Sequence, residues 1–254
     1  MISFKNLGYK GYLGNQMFQY ATLKGLATNR GYWYSVPQRE YELNQCFKIS
    51  PTLSDEFEKT ISEEKFEFDQ ILFNTCPDNI NLDGYFQTEK YFKHIEDDIR
   101  KDFSFHKEIY DPSIHYMNSM FYGIEVISLH IRRGDYVTDP SFYPLSLDYY
   151  IAALEYLPKD IPVLVISNDP EWCRNQFILP SHNYFVISSK NAYIDLCLMS
   201  LCDYHIIANS TFSWWGSWLA KSKKTIAPKQ WFSPTGPLKH YDTKDLYLPE
   251  WELI

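Results

Sequence analysis

No run of 18 consecutive apolar residues occurs in this chain. Nothing in it therefore reads as a helix long enough to cross a bilayer. Cysteine is scarce and odd in number, with five residues at 46, 76, 173, 197 and 202. Cys197 and Cys202 are five apart, which is not a zinc-knuckle spacing, and the set is too scattered for a disulfide framework. The five are read as reduced thiols, mostly packing, in a cytoplasmic protein. Positive charge is in the minority: 24 Lys and Arg stand against 32 Asp and Glu, for a net charge of −8. Phosphate-backbone binding needs a broad basic surface, so nucleic acid is set aside as a partner. The N-terminal MISFKNLGYKGYLGNQ lacks an apolar signal core with a small-residue cleavage site. Peripheral attachment to a membrane stays open.

Several familiar catalytic patterns are missing as well. There is no HExxH, no GxSxG elbow and no DxD near a strand end to hold a metal-bound nucleotide. GYLGNQ is not GxGxxG, because Gly11 and Gly14 are separated by two residues, and no Gly-Lys-Ser/Thr follows to make a P-loop. No metal site is expected. Neither a 20–50-residue repeat nor a low-complexity segment is found. The acidic pairs Glu63-Glu64 and Asp97-Asp98 sit in charge-rich segments and read as surface.

Aromatic residues, by contrast, make up 18% of the chain, with 21 Tyr and seven Trp. That abundance fits polar-tipped aromatic surfaces, as in carbohydrate or nucleotide sites, or a Tyr-rich core. A length of 254 residues allows one large domain or two modest ones. A strand around ISFKNL, a glycine-bearing turn, a helix over QMFQYATLKGLATNRG stopped by Gly31, and a strand at YWYSVP open an α/β fold. SDEFEKTISEEKFEFD can be helix or loop, and TEKYFKHIEDDIRKDF reads as one amphipathic helix. Pro112 and the following MNSMFYG mark the boundary between two units, 1–120 and 121–254. In the second unit the strands IEVISLHI, VLVIS, NYFVIS, HIIA and TIAP alternate with four helices. VLVIS is continuously apolar, as expected of a parallel sheet covered on both faces. The pattern is that of a doubly wound, nucleotide-binding domain.

Ligands in such sheets bind beyond the carboxyl ends of the strands. Three polar clusters fall there: HIRRGD after 124–131, SND at 167–169, and NST at 209–211. If strand pairing persists to residue 132, His130 and Arg132 share one face and Arg133 points to the other. Arg132 is then the better phosphate ligand, because a guanidinium fork makes bidentate, charge-assisted bonds to phosphate oxygens. Arg133 is expected to hold the loop through a carboxylate, with Asp135 a candidate partner. The alternative is that the whole cluster is a structural ion-pair network. Ser210 or Thr211 can cap the next helix, whose free N–H groups attract anions; the same residues can equally be an ordinary cap with no ligand. The Phe212, Trp214, Trp215 and Trp218 set reads more as core packing than as a sugar platform. Asn168 and Asp169 can meet a guanine edge or a ribose, or Asp169 can simply open the helix at Pro170. Asn209 belongs to the same edge. Asn15 and Gln16 either face a polyhydroxylated ligand or cap their own helix.

With these residues assembled, the chain resembles the alpha-1,2-fucosyltransferases, glycosyltransferase family 11, over nearly its whole length. The likeness rests on GYLGNQMFQYATLKGLA at 11–27, LDGYFQTEKYF at 82–92, HIRRGDYV at 130–137, SNDPEWC at 167–173 and ANSTFSWWGSWLA at 208–220. The resemblance implies an α/β fold of the GT-B type, with two facing Rossmann-like domains. Residues 1–120 would form the acceptor side and 121–254 the GDP-fucose side. It implies inverting, metal-independent transfer of L-fucose from GDP-fucose to the 2-hydroxyl of a terminal β-galactoside, in protein glycosylation or surface polysaccharide synthesis, with no cofactor. It places Arg132 on the donor pyrophosphate, and Asn168, Asp169, Ser210, Thr211 and Phe212 near guanosine and phosphate. Asp135 and His130 are the candidate general bases. A GT-B transferase using another nucleotide sugar and a non-catalytic glycan-binding module are the competing readings. Acceptor contacts within 37–83 are not carried over.

Overall fold

The first strand is only two residues long. The computed structural model describes residues 1–49, 57, 59–176, 183–187 and 189–254. In it, β1 (Ile2–Ser3) leads through the glycine-bearing turn into α1 (Leu13–Arg30) and then β2 (Tyr34–Ser35). Helix α1 is buried on nearly every side between Leu13 and Ala27, so it is a core helix rather than a half-exposed one. It ends where expected, at Gly31 with φ 67°. That left-handed turn lets Tyr32 N–H reach back to the Ala27 carbonyl at 2.8 Å. Next come α2 (Glu42–Cys46), β3 (Thr60–Ser62), α3 (Gln70–Thr75), β4 (Ile80–Asp83) and α4 (Glu96–Asp102). The four strands pair in parallel in the order β2-β1-β4-β3.

Two local expectations change here. The acidic stretch is neither helix nor plain loop, since Thr60–Ser62 pairs with β4; residues 50–56 and 58 of this region lie outside the described residues. TEKYFKHIEDDIRKDF is not one helix. Thr88 opens a short 3-10 turn at Glu89–Tyr91, and Phe92, at φ −131° and ψ 4°, breaks it before a second turn and α4. The apolar side is nonetheless the expected one, with Tyr91, Phe92, Ile95 and Ile99 buried.

The second unit opens with α5 (Lys107–Phe121), where the sequence suggested a boundary. Pro112 sits inside this helix, and Ile109, Ser113, Met117 and Phe121 form its buried stripe at i, i+4 spacing. After it come β5 (Ile127–Ile131), α6 (Leu147–Leu154), β6 (Val163–Ser167), α7 (Pro170–Gln176), β7 (Tyr184–Val186), α8 (Ala192–Ser200), β8 (Tyr204–Ile206), α9 (Thr211–Ala220), β9 (Lys224–Ala227) and β10 (Glu252–Leu253). Residues 177–182 and 188, at the ends of the helix expected over DPEWCRNQFIL and of the NYFVIS strand, lie outside the described residues. The six strands are all parallel, in the order β10-β9-β8-β5-β6-β7. Helix α5 packs on α8, and the chain divides into 1–106 with 241–248 and 107–240 with 249–254. The division thus falls before α5 instead of at 120/121.

The core of the second unit is built from Ile127, Leu129, Ile131, Val163, Val165 and Ile206, closed by Tyr150, Leu154 and Cys173. Trp214, Trp215 and Trp218 are buried against one another and Trp251, so they are packing. All five cysteines are free and buried. Among the described residues no helix is long and apolar enough to cross a membrane.

Candidate active site

Strand order decides where a ligand can enter the six-stranded sheet. From β5 the chain moves outward to β6 and β7; it then returns to the other side of β5 and moves outward through β8, β9 and β10. The order therefore reverses between β5 and β8. Connections leaving the two strands part in opposite directions and open a crevice beyond their carboxyl ends. HIRRGD leaves β5 at this crevice and NST leaves β8 at it. SND leaves β6, the other neighbour of β5, with Ile131 paired to Ser167.

The ladder stops at Ile131, so alternation does not orient the residues beyond it. His130 is still in the strand and is 4% exposed. Burial first, and the charge of Arg132 second, push its pKa down to about 3. It is a neutral ring packed 5.6 Å from the ring of Phe212, which follows β8. An imidazole this hard to protonate is a poor general base, which weakens that expectation for His130.

Asp135 does not pair with Arg133. It pairs with Arg132, whose Nη2 lies 2.8 and 2.9 Å from the two carboxylate oxygens. The short turn Gly134–Val137 brings residue 135 back beneath residue 132. Gly134 makes that turn at φ 58°, and a Cβ there would come within 2.5 Å of the Asn168 amide. Arg133 goes to the neighbouring strand: its Nε donates to Asp169 at 3.2 Å and its guanidinium lies 4.0 Å from the Trp172 ring centroid. Its backbone N–H donates to Asn168 Oδ1 at 2.9 Å. Asp169 also accepts from Trp172 N–H at 3.2 Å, so it serves as the helix-opening residue of α7 while tethering Arg133.

Across the crevice, Ser210 occupies the N-cap position of α9, yet its side chain makes no capping bond. No acidic side chain sits in the first turn either. The ten-residue helix thus begins, around Thr211 and Phe212, with the partial positive charge of its N-terminus met neither by a Ser210 side-chain cap nor by a first-turn carboxylate. Asn209 is fully buried and is a clamp: its Nδ2 donates to the carbonyls of Tyr143 and Trp231 at 3.2 and 3.0 Å. The two sides are joined by a residue that sequence reasoning missed. Tyr136 Oη donates to the Asn209 carbonyl at 3.1 Å. Trp172 was missed too; its only signal was its position three residues after an acidic helix-opening residue.

Asn15 and Gln16 belong to the first unit. Asn15 accepts from Gln87 Nε2 at 3.0 Å. Gln16 is 2% exposed, accepts from Leu43 N–H at 3.1 Å and donates to Glu42. Gln16 therefore braces the start of α2, and neither residue caps α1, whose N-cap position is Tyr12 with no side-chain bond. Glu63, expected at the surface, instead accepts from the N–H groups of Tyr85 and Phe86 at 2.7 and 2.8 Å. Burial pushes its pKa up to about 7. Among the described residues no group of three or more His, Cys, Asp or Glu converges as a metal-holding set.

The α/β arrangement with parallel sheets is similar to that of a NodZ alpha-1,6-fucosyltransferase soaked with GDP-fucose, with a TM-score of 0.57 at 14% identity over 90% of this chain and 94% of that one. It is also similar to POFUT1 in complex with GDP, with a TM-score of 0.55 at 12% identity over 89% and 97%. Among curated proteins, the O-antigen biosynthesis glycosyltransferase WbnK of Escherichia coli is 30% identical over 88% of this chain and 93% of its own length. An alpha-1,2-colitosyltransferase of Escherichia coli is 31% identical over 87% and 90%. The human galactoside alpha-(1,2)-fucosyltransferase 1 is 25% identical over 95% and 72%. The profile of Glycosyl transferase family 11 matches residues 3–254, and the chain belongs to that family.

Proposed function

We propose that the protein transfers L-fucose from GDP-fucose to the 2-hydroxyl of a terminal β-galactoside, with inversion at the sugar C1. One observation carries the reading: strand order brings a forked guanidinium, Arg132, and the start of α9, which Ser210 leaves without a side-chain cap, to one crevice. Both features suit a diphosphate. Family membership and relatives named as alpha-1,2-transferases support the reaction class.

The bond between C1 and the β-phosphate oxygen breaks, and negative charge grows on GDP. Arg132 and the first N–H groups of α9 stabilise that charge where it develops. The acceptor oxygen attacks C1 from the opposite face and releases its proton. With His130 held neutral by burial, Asp135 is the candidate to take it, and its standing contact with Arg132 gives it a second task, fixing the plane of the fork. Asn168, Asp169 and Phe212 line the same edge and are assigned to the guanosine side. In this reading the fold is of the GT-B type, with Asn15 and the first unit assigned to the acceptor. The diphosphate charge is met by protein groups, so turnover should survive a chelator.

The colitosyltransferase relative favours a second reading, with colitose as the transferred sugar. Colitose is fucose without its 3-hydroxyl, and a site that hydrogen-bonds this hydroxyl rejects the deoxy analogue strongly. The test is direct. GDP-fucose and GDP-colitose are each offered with a panel of galactosides, and the product linkage is read by NMR. The proposal requires an alpha-1,2-fucosyl product and stabilisation by GDP but not UDP in thermal shift. Preference for GDP-colitose would establish the second reading; transfer of neither sugar, with no GDP binding, would remove both.

A further inference from the structure

Tyr136 follows the charged cluster directly and touches both walls of the crevice. The Arg132 guanidinium lies over its ring, 5.1 Å from Cζ to the centroid. A cation held over an aromatic face keeps its plane at modest cost. The same ring stacks on Phe142 at 4.4 Å and 12°, and Phe142 packs against Phe232 at 5.9 Å, so the tyrosine is itself anchored. At its far end the hydroxyl donates to the Asn209 carbonyl, one residue before the N-cap of α9. Asn209 is pinned in turn to Tyr143 and Trp231. Burial pushes the phenol pKa up, so the hydroxyl keeps its proton and stays a donor at any working pH.

We propose that Tyr136 is the positioning residue of the donor site: its ring sets the plane of the Arg132 fork, and its hydroxyl fixes the distance from that fork to the start of α9. This rests on the donor reading above, in which fork and helix start hold one diphosphate. Misplacing a charged group by about an ångström costs on the order of a hundredfold in rate. Tyr136 acts through Arg132 and does not itself reach the reacting atoms.

Two variants separate its two contacts. Tyr136→Phe keeps the ring and removes the bond to Asn209; Tyr136→Leu removes both. The expected losses in kcat/KM for GDP-fucose are about tenfold and about a hundredfold, with the KM for the acceptor unchanged. Affinity for GDP should fall while affinity for guanosine, which has no phosphate, stays at the wild-type value. A general loss of structure would lower both. A double-mutant cycle completes the test: in an Arg132→Ala background, Tyr136→Phe should cost less than about twofold more, because coupled residues are not additive. Wild-type kcat/KM in both Tyr136 variants, or losses that multiply in the cycle, would overturn the inference. If Arg132→Ala alone kept wild-type turnover, the donor reading would fall and take the inference with it. Loss in Arg132→Ala but in neither Tyr136 variant would remove the inference alone.

Discussion

Arg132→Lys keeps the positive charge and removes the fork, so it isolates geometry from charge. The structure gives two separate magnitudes. For stability, Arg132 and Asp135 form an ion pair whose side chains are 20% and 46% exposed. Pairs this accessible are worth about 0–1 kcal/mol, and lysine retains part of that. One kcal/mol in a chain of this size moves the Tm by roughly 2–4 °C. For catalysis, losing one preorganised donor to a developing oxyanion typically costs about 3 kcal/mol, on the order of a hundredfold in rate. The planar fork is what lysine cannot reproduce. The expected signature is therefore a kcat about a hundredfold lower at saturating GDP-fucose with the Tm within a few degrees of wild type. The assay is GDP release with a β-galactoside acceptor, checked by chromatography of the product and paired with differential scanning fluorimetry. A lysine variant within about threefold of wild-type turnover would refute the reasoning, because charge alone would then suffice.

Three further outcomes follow from other parts of the molecule. Gly25→Ala should lower the Tm even though alanine is the better helix former: a Cβ at 25 would lie 2.1 Å from the Tyr91 carbonyl oxygen, and overpacking costs about 1–3 kcal/mol against a propensity gain of about 1. Equal or higher stability by thermal melt would show that the turn at 89–91 yields freely. Glu63 carries a pH signature. Its carboxyl has a folded pKa of about 7, above the ordinary value, so between those two pH values the folded protein holds a proton that the unfolded chain has released. Its stabilising contribution is present at low pH and is lost as pH rises through about 7. Melts from pH 5 to 8 should show wild type losing stability relative to Glu63→Gln, and parallel curves would contradict the assignment. Asp135→Asn should change the shape of the pH–rate profile for transfer if this carboxylate takes the acceptor proton; a profile matching wild type in shape, at any height, would leave it only the task of holding Arg132.

What was legible in the sequence follows from periodicity and turn chemistry. VLVIS reads as a strand because it is a short continuous apolar run, and its five residues are indeed all buried; Gly31 reads as a stop because the left-handed turn lets the last carbonyls of α1 be met. The three polar clusters are legible because each directly follows such a strand, and the strand order brings them together. Pairing within the site was not. Alternation assumes a ladder, and the ladder ends at Ile131, so Arg132 and Arg133 choose partners by the turn at Gly134: Asp135 folds back to one, and Asp169 on the neighbouring loop meets the other. Helix α5 was hidden by Pro112, although Ile109, Ser113, Met117 and Phe121 carry the helical spacing in plain view. Packing of that stripe on α8 outweighs the proline's local preference. Glu63 was hidden by its neighbours: one member of an acidic pair turns inward to serve two backbone N–H groups, and composition carries no sign of it. Tyr136 was hidden because its role lies in a carbonyl 73 residues away.

The central claim is that Arg132 and the start of α9 hold one diphosphate. The most direct measurement is a crystal structure of the GDP complex. The account predicts diphosphate oxygens within about 3 Å of the Arg132 guanidinium and of the N–H groups of Thr211 and Phe212, beyond the carboxyl ends of β5 and β8. GDP bound elsewhere, with Arg132 still on Asp135 and no phosphate oxygen near residues 211–212, would contradict it.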